Sequence, residues 1–106
     1  MYEEIFQYLQ SQKGKNLALY DISGEKSLND YVLIQHFTSV VENKKFAENF
    51  MQQFKIEVFP EGYNKGEWIV FDLDKVVVHS FILPMREKYN LDKLWQNKKV
   101  DIKNKK

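Results

Sequence analysis

Residues 66–95 read GEWIVFDLDKVVVHSFILPMREKYNLDKLW, and the fold turns on how the first half of this stretch pairs with itself. Two runs rich in β-branched and aromatic residues, Trp68 to Leu73 and Val76 to Ile82, are separated only by Asp74 and Lys75. That is the spacing of a two-residue hairpin loop. Such a loop pairs Leu73 with Val76, Asp72 with Val77, Phe71 with Val78, Val70 with His79, Ile69 with Ser80 and Trp68 with Phe81. Side chains alternate along a strand, so the register also sorts the faces. Ile69, Phe71, Leu73, Val76, Val78 and Ser80 are expected on the main core. Trp68, Val70, Asp72, Val77, His79 and Phe81 share the other face, where polar groups among apolar ones call for an explanation.

Outward from the hairpin, Pro84 suits a first helical turn and predicts a helix over Met85 to Tyr89. Asn90 is then expected to cap a last turn, Leu91 to Trp95. Upstream, Pro60, Gly62 and Gly66 mark a turn region, and Lys55 to Phe59 is read as a short strand. Phe46, Ala47, Phe50, Met51 and Phe54 make one apolar helical stripe, with Thr38 and Ser39 as cap residues. Glu42, Lys44, Lys45, Glu48 and Gln52 fall on its solvated side. Leu17 to Ile22 and Asp30 to Phe37 read as an antiparallel strand pair, and Tyr2, Ile5, Phe6 and Leu9 place a helix over residues 2–12. The order predicts a mixed α/β domain over residues 1–97, a sheet of about five strands with helices on its faces. Residues 98–106, with their lysines, read as a solvated, flexible tail.

Composition narrows the function classes. The 106-residue chain is 43% hydrophobic and 29% charged, which suits one ordered domain. Its net charge of +1 speaks against binding nucleic acid chiefly by neutralising phosphates, so protein surfaces are the expected partners. The sequence has no cysteine, which removes disulfides, thiolate metal sites and cysteine nucleophiles together. The start, Met1-Tyr2-Glu3-Glu4, lacks the basic and apolar character of a leader, and no apolar run approaches the roughly 20 residues of a membrane span. The expected location is cytoplasmic.

Chemistry finds little to complete it. Asp72 and His79 are diagonal neighbours across the hairpin and are expected to satisfy one another by a charge-assisted hydrogen bond. A triad would need Ser23, Ser39 or Ser80, and Ser80 points to the opposite face. His36 and His79 are the only histidines and do not stand at helical metal-binding spacing. Asp72-x-Asp74 is the one enzymatic signal, because nucleotidyltransferases hold magnesium with carboxylates two apart on a strand. Asp74 falls in the turn, no Gly-Ser pair opens the helix at Phe37-Thr38-Ser39, and no Gly-rich phosphate loop occurs. No catalytic residue, cofactor or metal is assigned, and a magnesium-dependent nucleotidyltransferase stands as the alternative. Trp68, Phe81, Tyr89 and Trp95 serve either as core or as interface anchors, and the short ending around Leu94 and Trp95 favours an exposed anchor there. Arg86 offers a planar five-donor fork for a carboxylate or phosphate on a partner, or is simply a solvated surface residue.

Gly66, Glu67, Trp68, Asp72, Val76, Val77, Val78, His79, Phe81, Arg86, Tyr89, Leu91, Leu94 and Trp95 also carry a family resemblance. So do Asp21, Ser27, Leu28, Asp30, Tyr31, Ile34, Ser39, Lys44, Ala47, Asn49 and the Glu61-Gly62-Tyr63 turn. Over residues 17–95 the chain resembles the ribosomal silencing factors, also called Iojap-like proteins. The resemblance implies a fold related to that of nucleotidyltransferases, without the activity. It implies binding to the large ribosomal subunit through ribosomal protein L-fourteen, which blocks joining of the small subunit and represses translation under nutrient limitation. It implies partner contacts among Trp68, Asp72, His79, Arg86, Tyr89, Leu94 and Trp95, and a homodimer when free. The chain departs from the family pattern at Phe37, where a glycine is usual, at Glu42, where an arginine is usual, and at the turn Asp74-Lys75.

Overall fold

The hairpin forms in the register that its spacing predicts: β3 (Trp68–Leu73) and β4 (Val76–Ile82) pair antiparallel from Trp68 with Phe81 to Leu73 with Val76. Asp74 takes a left-handed φ of 69°, and Asn29 braces the turn by donating through Nδ2 to the Asp74 carbonyl and the Asp72 carboxylate. That brace holds a turn whose first residue is not glycine.

The computed structural model describes residues 2–102. Ahead of the hairpin lie α1 (Tyr2–Ser11), β1 (Lys15–Asp21), β2 (Tyr31–Phe37) and α2 (Val40–Gln53). Behind it lie α3 (Leu83–Tyr89), α4 (Leu91–Leu94) and a 3-10 turn (Gln96–Lys98). The sheet is mixed and runs β1-β2-β4-β3, with β1 antiparallel to β2 and β2 parallel to β4. Central β2 is buried at every residue from Val32 to Phe37, as a strand covered on both faces must be.

Two apolar clusters lie on the two faces. The larger joins Ile5, Phe6 and Leu9 of α1 and Phe46, Ala47, Phe50 and Met51 of α2 to Leu33, Ile69, Phe71, Val76 and Val78 of the sheet. The smaller holds Ala18, Tyr20, Val32, Ile34, Val77 and Phe81, with Trp68, Val70, Met85, Leu91 and Trp95 packed against it. Helices α1 and α2 thus cover one face, and the α3–α4 corner covers part of the other. Ser39 caps α2 by accepting from the Glu42 N–H at 3.1 Å, while Glu42 reaches back to the Thr38 N–H and hydroxyl.

Three expectations are corrected. The sheet has four strands among the described residues, not about five. Residues 55–59 form no strand, because Lys55 turns the chain through a φ of 56° and the Ile56 N–H closes onto the Met51 carbonyl. Beyond Pro60, among the described residues, Glu61 alone bridges the free edge of β3, at Val70. Nor does the Asn90 side chain cap the last turn: its backbone, at φ 48°, terminates α3 with its N–H on the Arg86 carbonyl. Asn tolerates this region at lower cost than most residues.

Two glycines show why the turn before the hairpin needs them. A Cβ on Gly62, at φ 83°, would stand 2.0 Å from the Trp68 carbonyl oxygen, and one on Gly66, at φ 73°, 2.6 Å from Val40 Cγ1. Toward the carboxyl end, the Val100 N–H donates to the Leu19 carbonyl at 2.8 Å, and Val100 and Ile102 pack on the larger cluster. Residues 103–106 of the lysine-rich segment lie outside the described residues.

Candidate functional site

On the second face of the hairpin, Trp68 is the hub. Its ring lies 4.9 Å from Phe81 below and 4.9 Å from Tyr89 of α3 above, centroid to centroid. Its indole N–H donates to His79 Nδ1 at 3.0 Å. The sequence expectation paired His79 with Asp72. Trp68 and Asp72 are both diagonal neighbours of His79 in this register, and the indole takes the imidazole. Burial explains the preference: it pushes the His79 pKa down to about 4, against the opposing charge of Asp72. A neutral imidazole offers an acceptor nitrogen, which an N–H donor satisfies and a carboxylate does not. Asp72 is exposed and is held by Asn29 Nδ2 at 3.2 Å.

Arg86 is neither free nor at the surface; its side chain is 10% exposed. It grips Asp92 side-on, Nε to Oδ2 at 3.0 Å and Nη2 to Oδ1 at 2.9 Å. Nη1 contacts His36 Nδ1 at 3.0 Å and donates to the Lys15 carbonyl at 3.3 Å. The Tyr20 hydroxyl adds a 2.6 Å bond to Asp92 Oδ1. Burial works to raise the Asp92 pKa, but the hydrogen bonds from Arg86 and Tyr20 overcome it and leave the carboxylate below its usual range. Burial and the neighbouring guanidinium lower the His36 pKa, consistent with a neutral ring that accepts from Arg86.

Two large apolar residues are exposed on this corner, among the charged and polar Glu87, Lys88, Asn90 and Lys93. Tyr89 is 46% and Leu94 68% exposed, while Trp95 is half-buried with its ring 6.1 Å from Tyr20. The structure thus gathers His79 and Tyr89 around the Trp68 ring at tilted angles and puts Leu94 and Trp95 beyond the corner that Arg86 ties down. Asp72 stands apart, toward the turn. Asp74 lies in that turn, and among the described residues no three His, Cys, Asp or Glu gather as metal ligands. No described helix is long and apolar enough to cross a membrane.

Sequence reasoning missed Tyr20, Asp92 and the Asn43–Ser80 contact. Arg86 and Asp92 are six apart, a spacing no regular helix brings together, and only the left-handed Asn90 between them closes the distance. A polar Asn43 on the apolar side of α2, facing Ser80, was the one available signal.

Fold and site define a small mixed α/β domain that exposes Tyr89 and Leu94 over an aromatic cluster, beside a partly buried charge cluster. The family model described as "Ribosomal silencing factor during starvation" matches residues 1–106. "Ribosomal silencing factor RsfS" of Haemophilus influenzae is 34% identical over 97 residues, covering 88% of this chain and 95% of its own. The protein of the same name in Bacillus subtilis is 33% identical over 92 residues, covering 79% of this chain and 75% of its own. A crystal structure from Chromobacterium violaceum superposes with a TM-score of 0.78 at 26% identity, over 90% of this chain and 82% of that one. One from Bacillus halodurans gives 0.72 at 32%, over 93% and 98%. The chain belongs to the ribosomal silencing factor family.

Proposed function

We propose that this protein binds the large ribosomal subunit through ribosomal protein L-fourteen and so prevents the small subunit from joining, repressing translation under nutrient limitation. The mechanism is steric: a domain seated on that contact excludes the other subunit, no bond is made or broken, and the site of action is the cytoplasm. The observation that carries the reading is the family match over the whole chain. Exposure of Tyr89 and Leu94, within the motif that bears the resemblance, supports a protein-binding surface there.

In this reading Tyr89 and Leu94 meet the partner, Trp95 contributes its open edge, and Asp72 adds an exposed charge at the rim. Trp68, His79 and Arg86 act by holding those groups in place. The same apolar surface mediates the homodimer of the free protein, so dimer and ribosome compete for it. The strand order with its parallel β2–β4 pair is read as the nucleotidyltransferase-like arrangement, retained as architecture and not as chemistry.

The test mixes purified subunits with the protein and resolves them on a density gradient. Expected are fewer joined ribosomes and protein migrating with the large subunit. Unchanged joining, with no protein on the large subunit, defeats the proposal.

A further inference from the structure

Helix α4 is too short to hold itself. Nucleating a helical turn is unfavourable, and isolated helices shorter than about 12 residues are marginal in water. None of its residues is buried and its N-cap makes no side-chain hydrogen bond. Yet it carries Leu94, the more exposed of the two apolar residues in the proposed docking surface. Something outside the helix must set its place.

The Asp92 carboxylate receives three hydrogen bonds, two from Arg86 on α3 and one from Tyr20 on β1. Beyond Asp92, the same guanidinium reaches His36 on β2 and the carbonyl of Lys15 on β1. Between Lys15 and Ala18 the β1–β2 register shifts and Asn16 takes a φ of 51°, an irregularity of the kind that re-aims backbone groups. Two helices and two strands are therefore tied at one side-on Arg–Asp pair. Only a planar fork can make these contacts together; an ammonium is a point charge. Partly buried pairs gain little net stability, because desolvation offsets most of the attraction. What such a pair supplies is geometry.

We propose that Tyr20, His36, Arg86 and Asp92 form a positioning device that sets the α3–α4 corner on the sheet and thereby the presentation of Tyr89 and Leu94. These are positioning residues, not contacts. The inference rests on the ribosome-binding reading above. The competing account is that the apolar packing of Leu91 and Trp95 fixes the corner alone.

The experiment compares the full chain with Asp92→Asn, Arg86→Lys and Tyr20→Phe by amide hydrogen exchange and by affinity for purified large subunits. Expected for Asp92→Asn and Arg86→Lys is exchange at residues 90–98 at least tenfold faster, unchanged exchange in β2 and β4, and subunit affinity about tenfold weaker. Tyr20→Phe, which keeps the ion pair, should show the same pattern at about threefold. Exchange at 90–98 within twofold of the unsubstituted protein overturns the device. So does acceleration spread evenly over the sheet, or a loosened corner with unchanged affinity. If the unsubstituted protein does not bind large subunits at all, the ribosomal reading fails, and the docking role with it. A local exchange response would in that case separate this failure from failure of the tie itself.

Discussion

At the scale of single residues, the depressed pKa of His79 makes the fold acid-sensitive. The imidazole is neutral in the folded protein down to about pH 4, against an ordinary value of 6.5. The unfolded chain therefore binds the extra proton between those values. Stability from this group is complete above pH 6.5 and is lost as the pH falls to about 4, by at most about 3 kcal/mol. Urea midpoints measured across that window should fall more steeply for the unsubstituted protein than for His79→Gln; parallel curves would remove the assignment. Asn43 gives a second residue-scale prediction. It donates to the carbonyls of Gly66 and Ser80, each at 2.9 Å, and accepts from the Ser80 hydroxyl at 2.6 Å. Asn43→Ala strands those groups where water does not reach, and should cost about 2–4 kcal/mol in urea unfolding.

Among the elements, the hairpin and the turn that precedes it depend on close backbone approach. Gly24 and Gly62 both have positive φ, 93° and 83°, yet nothing lies within 4 Å of a Cβ on Gly24, whereas the Trp68 carbonyl blocks one on Gly62. Gly24→Ala should cost about 1 kcal/mol, the strain of the left-handed backbone alone. Gly62→Ala should cost at least about 2 kcal/mol more, because the β3 edge must shift, and equal losses in thermal or urea unfolding would show that the turn gives way instead. The strand expected over residues 55–59 failed at this scale. Its composition suited a strand, but a left-handed Lys55 redirects the chain and Pro60 lacks an N–H to donate, so the segment does not pair along the free edge of β3, which Glu61 alone bridges among the described residues.

For the whole molecule, the proposed surface is separable from the core. Leu94 is 68% exposed, so Leu94→Glu should leave the thermal midpoint within about 2 °C while abolishing retention on the large subunit. Retention equal to that of the unsubstituted protein would place the docking surface elsewhere. The hairpin register, both faces of its strands, the antiparallel β1–β2 pair and the α2 stripe were all legible in the sequence, and the α2 cap was narrowed to Thr38 or Ser39, of which the fold uses Ser39. Each follows from local periodicity and loop length, which need no knowledge of the rest of the chain. The family, too, was legible in the run from Gly66 to Trp95. Packing in three dimensions settles that Trp68, not Asp72, satisfies His79, and that Arg86 turns inward to Asp92, His36 and Lys15, with Tyr20 bonded to the same carboxylate. The Arg86 pairings join residues far apart in the chain or across the left-handed Asn90, while His79 has two diagonal neighbours that the register alone does not rank. Which of several possible partners a buried polar group takes is settled by the dielectric and geometry of the packed protein, which no local pattern encodes.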